Sequence, residues 1–198
     1  MLFLLINLKL RFWSAQILSI KLMTQASYSF EEIISIFLKR DYDSIKNILN
    51  YRNFDINVED FRGVTALHYA AELDDVELIK LILDQPKARI NVKTLDMGST
   101  PLIIAAGNDK VEALKYLLER GADTEKTNSY GYTALMVAAE AGSLKCVKAL
   151  LDSKNCNLNA QNDLGKNALM IGIKYPEIVE LLIEKIDLTQ NDINQYNA

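Results

Sequence analysis

Histidine and cysteine, two residue types common in catalytic and metal sites, are scarce in this sequence. Among 198 residues there is one histidine, His68, and there are two cysteines, Cys146 and Cys156. A single histidine excludes most histidine-based catalytic triads and multi-histidine metal sites, and one pair of cysteines does not make a zinc motif. The sequence also lacks a G-x-x-x-x-G-K phosphate loop and a G-x-S-x-G nucleophile elbow. It therefore predicts no enzyme activity, no metal or other cofactor and no small-molecule substrate.

Two adjacent carboxylates, Asp74 and Asp75, could suggest a cation site. Both residues precede an apolar run that begins at Val76. Carboxylates at the start of a helix accept hydrogen bonds from its free N–H groups and face the positive end of its dipole. Helix capping is therefore the predicted role of both residues.

The side chains of this protein are positioned by structural elements that repeat along the chain. Four copies of one pattern begin with a glycine, carry threonine or asparagine two residues later, and continue with leucine and small residues. The leading glycines are Gly63, Gly98, Gly131 and Gly165, and they lie 35, 33 and 34 residues apart. Self-similarity with a period of about 33 residues is typical of stacked helical arrays.

Each part of the pattern has a physical reason. The glycine permits the positive φ of a tight turn, and the threonine or asparagine is a good N-cap for a first helix. The expected caps are Thr65, Thr100, Thr133 and Asn167. An apolar run that follows, such as 76–83 or 111–118, predicts a second helix. Counted from Asn91, the second copy has a hairpin one residue longer than the others.

The stretch 60–68, D-F-R-G-V-T-A-L-H, resembles the ankyrin repeat, and 121–123 matches the G-A-D with which that family's second helix ends. The resemblance covers about residues 30–189. It implies an all-α fold, an ankyrin-repeat solenoid of stacked helix-turn-helix units joined by hairpin loops. It also implies a structural role for His68, whose ring would hydrogen-bond to backbone near the helix start. The fourth copy departs from the family pattern, because it is two residues short at 174–176.

On this basis the chain divides into three parts. Residues 1–28 form an apolar and basic leader, interpreted as disordered or as not native and upstream of a true start at Met23. The ankyrin array is expected over 29–190, with its last helix ending near 186–188, and 191–198 form a polar tail. Within the array we expect a cap unit at 29–59 and units one to four at about 60–94, 95–127, 128–161 and 162–190.

The leader leaves a second function open. It contains Lys9, Arg11 and Lys21 and no acidic residue. Its apolar runs are shorter than the roughly 18 residues of a membrane-spanning helix, but several of its apolar residues fall near helical spacing. The alternative function is therefore a membrane-peripheral adaptor anchored by residues 1–23, and membrane contact is expected through no other segment.

Surface binding is the main functional prediction. The net charge of −4 argues against nucleic acid, whose phosphates need a basic surface. Two cysteines without a disulfide framework favour a reducing, cytoplasmic compartment. The resemblance implies a non-catalytic protein–protein interaction module, an adaptor or scaffold, that presents a concave strip of hairpin tips and first helices to another protein. A more remote alternative is an enzyme whose catalytic domain lies elsewhere.

Positions that match the family's binding face give the strip its residues. The predicted partner-binding residues are Phe61, Arg62, Tyr69, Glu72 and Leu73 in unit one, Asp96, Met97 and Asn108 in unit two, Ser129, Tyr130, Tyr132 and Glu140 in unit three, and Leu164 in unit four. The same face also includes Val64, Ser99, Ile104, Gly107, Val137, Ala141, Asp163, Lys166 and Ile171. Exposed aromatic and apolar residues are typical of binding hot spots.

The second helix of unit four is unusually apolar for the end of an array. Its five apolar residues are Ile178, Val179, Leu181, Leu182 and Ile183. One helix face buries about three of these against a neighbour, so we expect an exposed apolar patch and weak self-association through this C-terminal repeat, or a second partner site. Alternatively, the deletion before Ile178 turns the helix so that it buries more.

Overall fold

The computed structural model describes the backbone of residues 30–50, 54–153 and 155–196 and the side chains of 32–50, 54–153 and 155–186. Within these ranges the secondary structure is helical, apart from turns and one isolated antiparallel bridge between Glu59 and Thr65. The predicted all-α class is confirmed.

The helices come in pairs that stack along the chain. They are α1 (Phe30–Leu38), α2 (Tyr42–Leu49), α3 (Ala66–Glu72), α4 (Val76–Leu83), α5 (Pro101–Gly107), α6 (Val111–Glu119), α7 (Ala134–Ala141), α8 (Leu144–Leu151), α9 (Ala168–Ile171) and α10 (Pro176–Tyr196). The odd-numbered first helices pack on one another in chain order, and so do the even-numbered second helices. The array therefore has two helical layers, with hairpins between successive pairs.

Small residues let the first helices approach one another closely. Alanine pairs in α3, α5 and α7 have a relative exposure of 0%: Ala70, Ala71, Ala105, Ala106, Ala138 and Ala139. The leucines of the repeat pattern, Leu67, Leu102 and Leu135, are also buried. Buried side chains from Ile33 to Leu182 form one continuous apolar cluster, and this cluster joins units that are too small to fold singly.

Side-chain caps begin the first helices as predicted. Thr100 Oγ1 accepts a hydrogen bond from the backbone nitrogen of Ile103 at 3.3 Å, and Asn167 Oδ1 accepts one from Met170 at 3.0 Å. Thr133 caps α7 in the same way. These caps satisfy N–H groups that the helix itself leaves free.

The two adjacent aspartates have different roles. Asp75 caps α4 as predicted, since its Oδ1 accepts from the backbone nitrogen of Leu78 at 3.0 Å. Asp74 does not cap α4: it has a positive φ of 55°, and its Oδ1 accepts from the backbone nitrogen of Ala113 in α6 at 2.7 Å. The N-cap residue of α6 is Lys110, whose side chain makes no capping bond. Asp74 therefore supplies an acceptor across the unit boundary, and the prediction that it caps its own unit is wrong.

An asparagine or aspartate fixes most of the hairpins. In unit three, Asn128 Oδ1 accepts from the backbone nitrogens of Tyr130 and Tyr132, both at 3.0 Å. Asp60 and Asn162 make the equivalent pairs of bonds in units one and four. Each of these loops is thus held by its own side chain.

Unit two closes its hairpin in another way. Thr94 N donates to Ser99 O at 3.0 Å, and Thr94 Oγ1 accepts from Ser99 N at 3.1 Å. This loop spans one residue more than the others, as the sequence predicted. The longer loop places Leu95 at the tip, where its side chain is 71% exposed.

Neighbouring hairpin tips are joined by backbone hydrogen bonds. The bonds run from Leu95 N to Arg62 O (2.6 Å), from Ser129 N to Met97 O (2.9 Å) and from Asp163 N to Tyr130 O (3.3 Å). Three of the leading glycines, Gly63, Gly98 and Gly131, lie beside these bonds, and Gly131 has a φ of 74°. A Cβ at Gly131 would lie 2.7 Å from the backbone nitrogen of Asp163. This position therefore requires glycine for both conformation and space.

Unit four differs from the others at both of its helices. The first helix, α9, has four residues and continues into a 3₁₀ turn, Gly172–Lys174. The second helix, α10, runs to Tyr196, so the helix end expected near 186–188 is wrong and the tail expected at 191–198 is helical as far as Tyr196. Residues 187–196 contain neither glycine nor proline, and nothing in this stretch interrupts a helix.

Replacement of Gly131 by alanine tests the tip stack. Gly131 has backbone 2.7 Å from its Cβ position, whereas Gly121, with a φ of 85°, has nothing within 4 Å. Each substitution places an L-residue in the left-handed region, which costs about 1–2 kcal/mol, and Gly131→Ala adds overpacking of about 1–3 kcal/mol. Urea unfolding followed by circular dichroism should show the larger loss for Gly131→Ala. Equal midpoints for the two variants would contradict a stack that needs glycine for space.

Candidate functional site

The imidazole of His68 is sealed between two units. Its side chain is 1% exposed, and Nδ1 accepts from the backbone nitrogen of Thr65 at 3.0 Å. The proton therefore resides on Nε2, which lies 3.1 Å from the carbonyl oxygen of Ser99 and 3.2 Å from that of Val92. Burial lowers the pKa of His68 below its ordinary value, so the ring is neutral at pH 7. The structural role expected for this histidine matches these bonds.

The two cysteines are poor nucleophiles. Cys146 is buried with its Sγ 3.8 Å from Asp109 Oδ1, and Cys156 is half-buried. Burial raises the pKa of each thiol to about 12, so both remain protonated at neutral pH. Across the part of the chain that the structure describes, no three His, Cys, Asp or Glu side chains are grouped to hold a metal ion.

The predicted strip contains one clear groove. It lies between the hairpin tips of units two to four and the first helices α5 and α7, and its volume is about 640 Å³. Its lining residues are Met97, Ser99, Ile103, Ile104, Gly107, Asn108, Asn128, Tyr130, Tyr132, Val137, Glu140, Asp163 and Leu164. We call this set the groove. Six of the predicted partner-binding residues meet in it: Met97, Asn108, Tyr130, Tyr132, Glu140 and Leu164.

Exposed side chains of the tips form the rim of the groove. Met97 is 45% exposed, Tyr130 56% and Leu164 74%. The backbone beneath them is fixed twice. Bonds to Asn128, Asn162 and Thr94 close the individual loops, and further bonds join neighbouring tips. Large apolar groups are therefore presented to solvent from a rigid base.

One position in the lining of the groove has no side chain. Gly107 occupies the helix position that Glu72 holds in unit one and Glu140 in unit three. A Cβ at Gly107 would lie 3.0 Å from Cγ1 of Val137. Ile104 and Val137 in the same lining are only half-buried, so the floor is apolar and accessible.

The predicted residues of unit one lie outside this groove. Phe61 is 91% exposed. The guanidinium of Arg62 donates to the hydroxyl of Tyr69 at 3.2 Å and pairs with Asp60 at 3.3 Å, and it lies 5.8 Å from the centre of the Phe61 ring. These side chains form a separate patch with contacts of its own. Glu72 is exposed and Leu73 half-buried beyond it.

The remaining predicted residues, Asp96 and Ser129, are exposed at the tips but do not line the groove. Asp96 is turned toward its own loop, where its Oδ1 accepts from the backbone nitrogen of Met97 at 2.6 Å.

Sequence reasoning missed Ile103 and Asn128 in the lining and Leu95 at the tip. Leu95 could have been found from the length of the second hairpin, since an additional residue has to enter the turn. Asn128 could have been found from the preference of asparagine for turns that close on its own side chain.

A family model for ankyrin repeats, in three copies, matches residues 33–128 and 112–192. The chain belongs to the ankyrin repeat family. The resemblance drawn from the sequence and the predicted ankyrin solenoid are thereby confirmed. Ankyrin repeats are generally non-catalytic modules for protein–protein interaction.

Relatives of this ankyrin chain occur in diverse organisms. It is 31% identical over 151 residues to the putative ankyrin repeat protein YahD of Escherichia coli, covering 73% of this chain and 74% of that protein. It is 30% identical over 162 residues to the putative ankyrin repeat protein FPV031 of fowlpox virus, covering 78% and 47%. It is 28% identical over 121 residues to transient receptor potential cation channel subfamily A member 1 of Homo sapiens, covering 60% and 11%.

A solved structure shares the fold. The crystal structure of the ankyrin repeat protein EF0377 matches with a TM-score of 0.71 and 30% identity, over 80% of this chain and 83% of that one. The chain thus spans less than half of the viral and human relatives named above. In the described residues, none of the helices has the length and hydropathy needed to cross a membrane.

Protonation of His68 should make the ankyrin array less stable in weak acid. The unfolded imidazole titrates near 6.5 and the folded one at a lower pH, so the unfolded chain binds the proton first. The His68 contribution is complete above pH 6.5 and falls by up to about 1.4 kcal/mol per pH unit below it, until the folded pKa is reached. Urea unfolding of wild type and His68→Gln between pH 7 and pH 5 should give a steeper decline for wild type. Parallel declines would show that His68 does not cause the pH dependence.

Proposed function

We propose that this ankyrin array is a non-catalytic adaptor or scaffold module that binds another protein through the groove. The observation that carries the proposal is the ring of exposed apolar side chains around an accessible apolar floor. Met97, Tyr130 and Leu164 are large, exposed and clustered, which is the composition of a binding hot spot. A monomeric surface seldom leaves such residues together without a partner.

Rigidity supports the same proposal. The rim residues stand on loops whose backbone N–H groups are bonded to Thr94, Asn128 or Asn162 and to neighbouring tips. Little of this surface has to be ordered when a partner binds, so less of the contact energy is lost to conformational entropy. The unit-one patch of Phe61, Arg62 and Tyr69 would extend the contact for a longer partner.

Two further predictions remain proposals. A cytoplasmic location is supported by Cys146 and Cys156, which are both free thiols. The alternative of a membrane-peripheral adaptor depends on residues 1–23, which lie outside the described residues. Co-sedimentation of the full chain and of a chain starting at Met23 with lipid vesicles separates this alternative from the groove.

Paired substitutions test the groove. A groove variant carries Tyr130→Ala and Leu164→Ala, and an outer variant carries Lys80→Ala and Lys115→Ala, two exposed positions on second helices. A protein captured by wild type and by the outer variant, but not by the groove variant, is the expected result. Titration of that purified protein should show the groove variant weaker by more than about 1 kcal/mol. Loss of binding in the outer variant alone would place the interface on the second helices.

We also propose that a second copy of the chain associates weakly with the C-terminal end of the array. Met170, Ile173 and Ile183 are 55%, 75% and 45% exposed there. The corresponding residues of unit three are buried beneath unit four: Met136, Ala139 and Leu151. The apolar face through which inner units pack on one another is therefore also present at this end, where none of the described residues covers it.

The identity of Ile173 supports a second copy as the occupant. A unit that packed on unit four as unit four packs on unit three would meet Ile173 where unit three has Ala139. The larger side chain would keep the two first helices farther apart. A second copy of the chain that contacts this end in a different orientation avoids that clash. The patch is small, which favours weak association.

Light scattering over a concentration series tests this contact. Wild type should gain mass as it approaches about 100 μM, where a contact of about 5.5 kcal/mol is half formed. Met170→Lys with Ile173→Lys should remain monomeric, because charge at both positions opposes apolar contact. The matched control is Leu38→Lys, a 50% exposed position in α1, which should behave as wild type. A constant monomer mass for wild type would refute self-association through this end.

A further inference from the structure

The formally charged side chains that line the groove are all negative. Of the side chains that line it, two carry a formal charge, Glu140 and Asp163, and both are acidic and exposed. Among the described residues neither carboxylate belongs to an ion pair. The pairs nearby in sequence, Lys115 with Glu112 and Lys126 with Asp123, involve other residues. The groove therefore presents two carboxylates without a neutralising cation from its own lining.

Aromatic rings line the same groove as these carboxylates. Tyr130 and Tyr132 belong to the same lining, one on the rim and one half-buried. The face of a tyrosine ring attracts a cation, and guanidinium groups also stack on it. Two carboxylates and two aromatic rings around one groove thus favour a positively charged side chain and disfavour an anion.

The floor suits the remainder of such a side chain. Ile104 and Val137 are half-buried apolar residues of the lining, and Gly107 has no side chain that could cover them. Lysine and arginine lay their methylene stems on apolar surface while the charged end reaches a polar group. The exposed Met97 and Leu164 on the rim offer contacts for apolar residues on either side of that stem.

We propose that the groove recognises a partner segment in which an arginine or lysine lies between apolar residues, with arginine bound more tightly. This proposal rests on the proposed function and specifies the partner that the groove accepts. The cation binds between Glu140, Asp163 and the tyrosine rings, its stem lies over Gly107, and the flanking apolar residues contact the rim. Phosphorylated or acidic segments are rejected by the same two carboxylates.

Selection from a displayed library of short random peptides on immobilised wild-type chain tests the proposal. Peptides recovered from wild type but not from the Tyr130→Ala, Leu164→Ala variant should carry arginine or lysine flanked by apolar residues. A synthetic copy of a recovered peptide should bind more weakly at high salt, because exposed charges are screened. Replacing its basic residue by alanine should remove most of the binding.

Charge-neutralising variants give the matched comparison. Glu140→Gln and Asp163→Asn should each weaken the synthetic peptide about threefold, the size expected for one exposed ion pair. Glu119→Gln removes the same charge from α6, in a separate depression that shares no lining residue with the groove, and should leave affinity unchanged. Equal affinity for all four proteins would overturn the proposal.

The two proposals can fail separately. Groove-dependent peptides that are acidic, or that contain no basic residue, would refute recognition of a cation and leave protein binding through the groove intact. If no recovered peptide depends on Tyr130 and Leu164, or if none is recovered, both proposals fail.

Discussion

Close approach of neighbouring units is the constraint on which the rest of this structure depends. One pair of helices cannot bury its own apolar face, so stability has to come from the interfaces between pairs. Alanines without exposed surface, such as Ala105 and Ala138, set a short distance between the first helices. The same distance brings the hairpin tips into hydrogen-bonding range, as between Ser129 N and Met97 O. One spacing therefore governs both the core and the face on which a partner is proposed to bind.

Hydrogen bonds between polar groups of neighbouring units make this packing directional. Apolar contact alone is non-directional, and helices held only by alanine and leucine could slide on one another. His68 prevents this by bonding to the carbonyl of Ser99 in the following unit, and Asp74 does so by capping α6. Thr124 repeats the device further along, where its hydroxyl donates to the carbonyl of Asn155 at 2.9 Å. A buried bond that is lost on sliding leaves an unsatisfied group, so the register between units is fixed and the groove keeps its shape.

Much of the fold could be predicted from the sequence, because it depends on residue types that recur at a fixed period. The turn glycines, the threonine caps and the exposed Tyr130 and Leu164 follow from local rules that act within one unit. What could not be read depends on contacts between units. In the sequence Asp74 looks like any local cap. Its actual role depends on α6 in the next unit, whose N-cap residue, Lys110, makes no side-chain capping bond. The strip could be placed on the right face, but its division into a groove and a separate unit-one patch depends on which side chains meet in space. The end of α10 at Tyr196 was missed because a polar composition was mistaken for a helix stop.

The groove lies where the sequence departs from the repeat, and this has a physical reason. Positions that follow the repeat are occupied by stacking, capping and turn formation, and so they cannot distinguish one partner from another. In unit one the charged group on this face already has partners within the unit, because Arg62 bonds to Tyr69 and Asp60. In unit two the longer hairpin places Leu95 at the tip, and Gly107 lacks the side chain that the corresponding residues of the flanking units carry. Specificity requires a difference between competing partners, and in an array of near-identical units that difference can be encoded only at such departures.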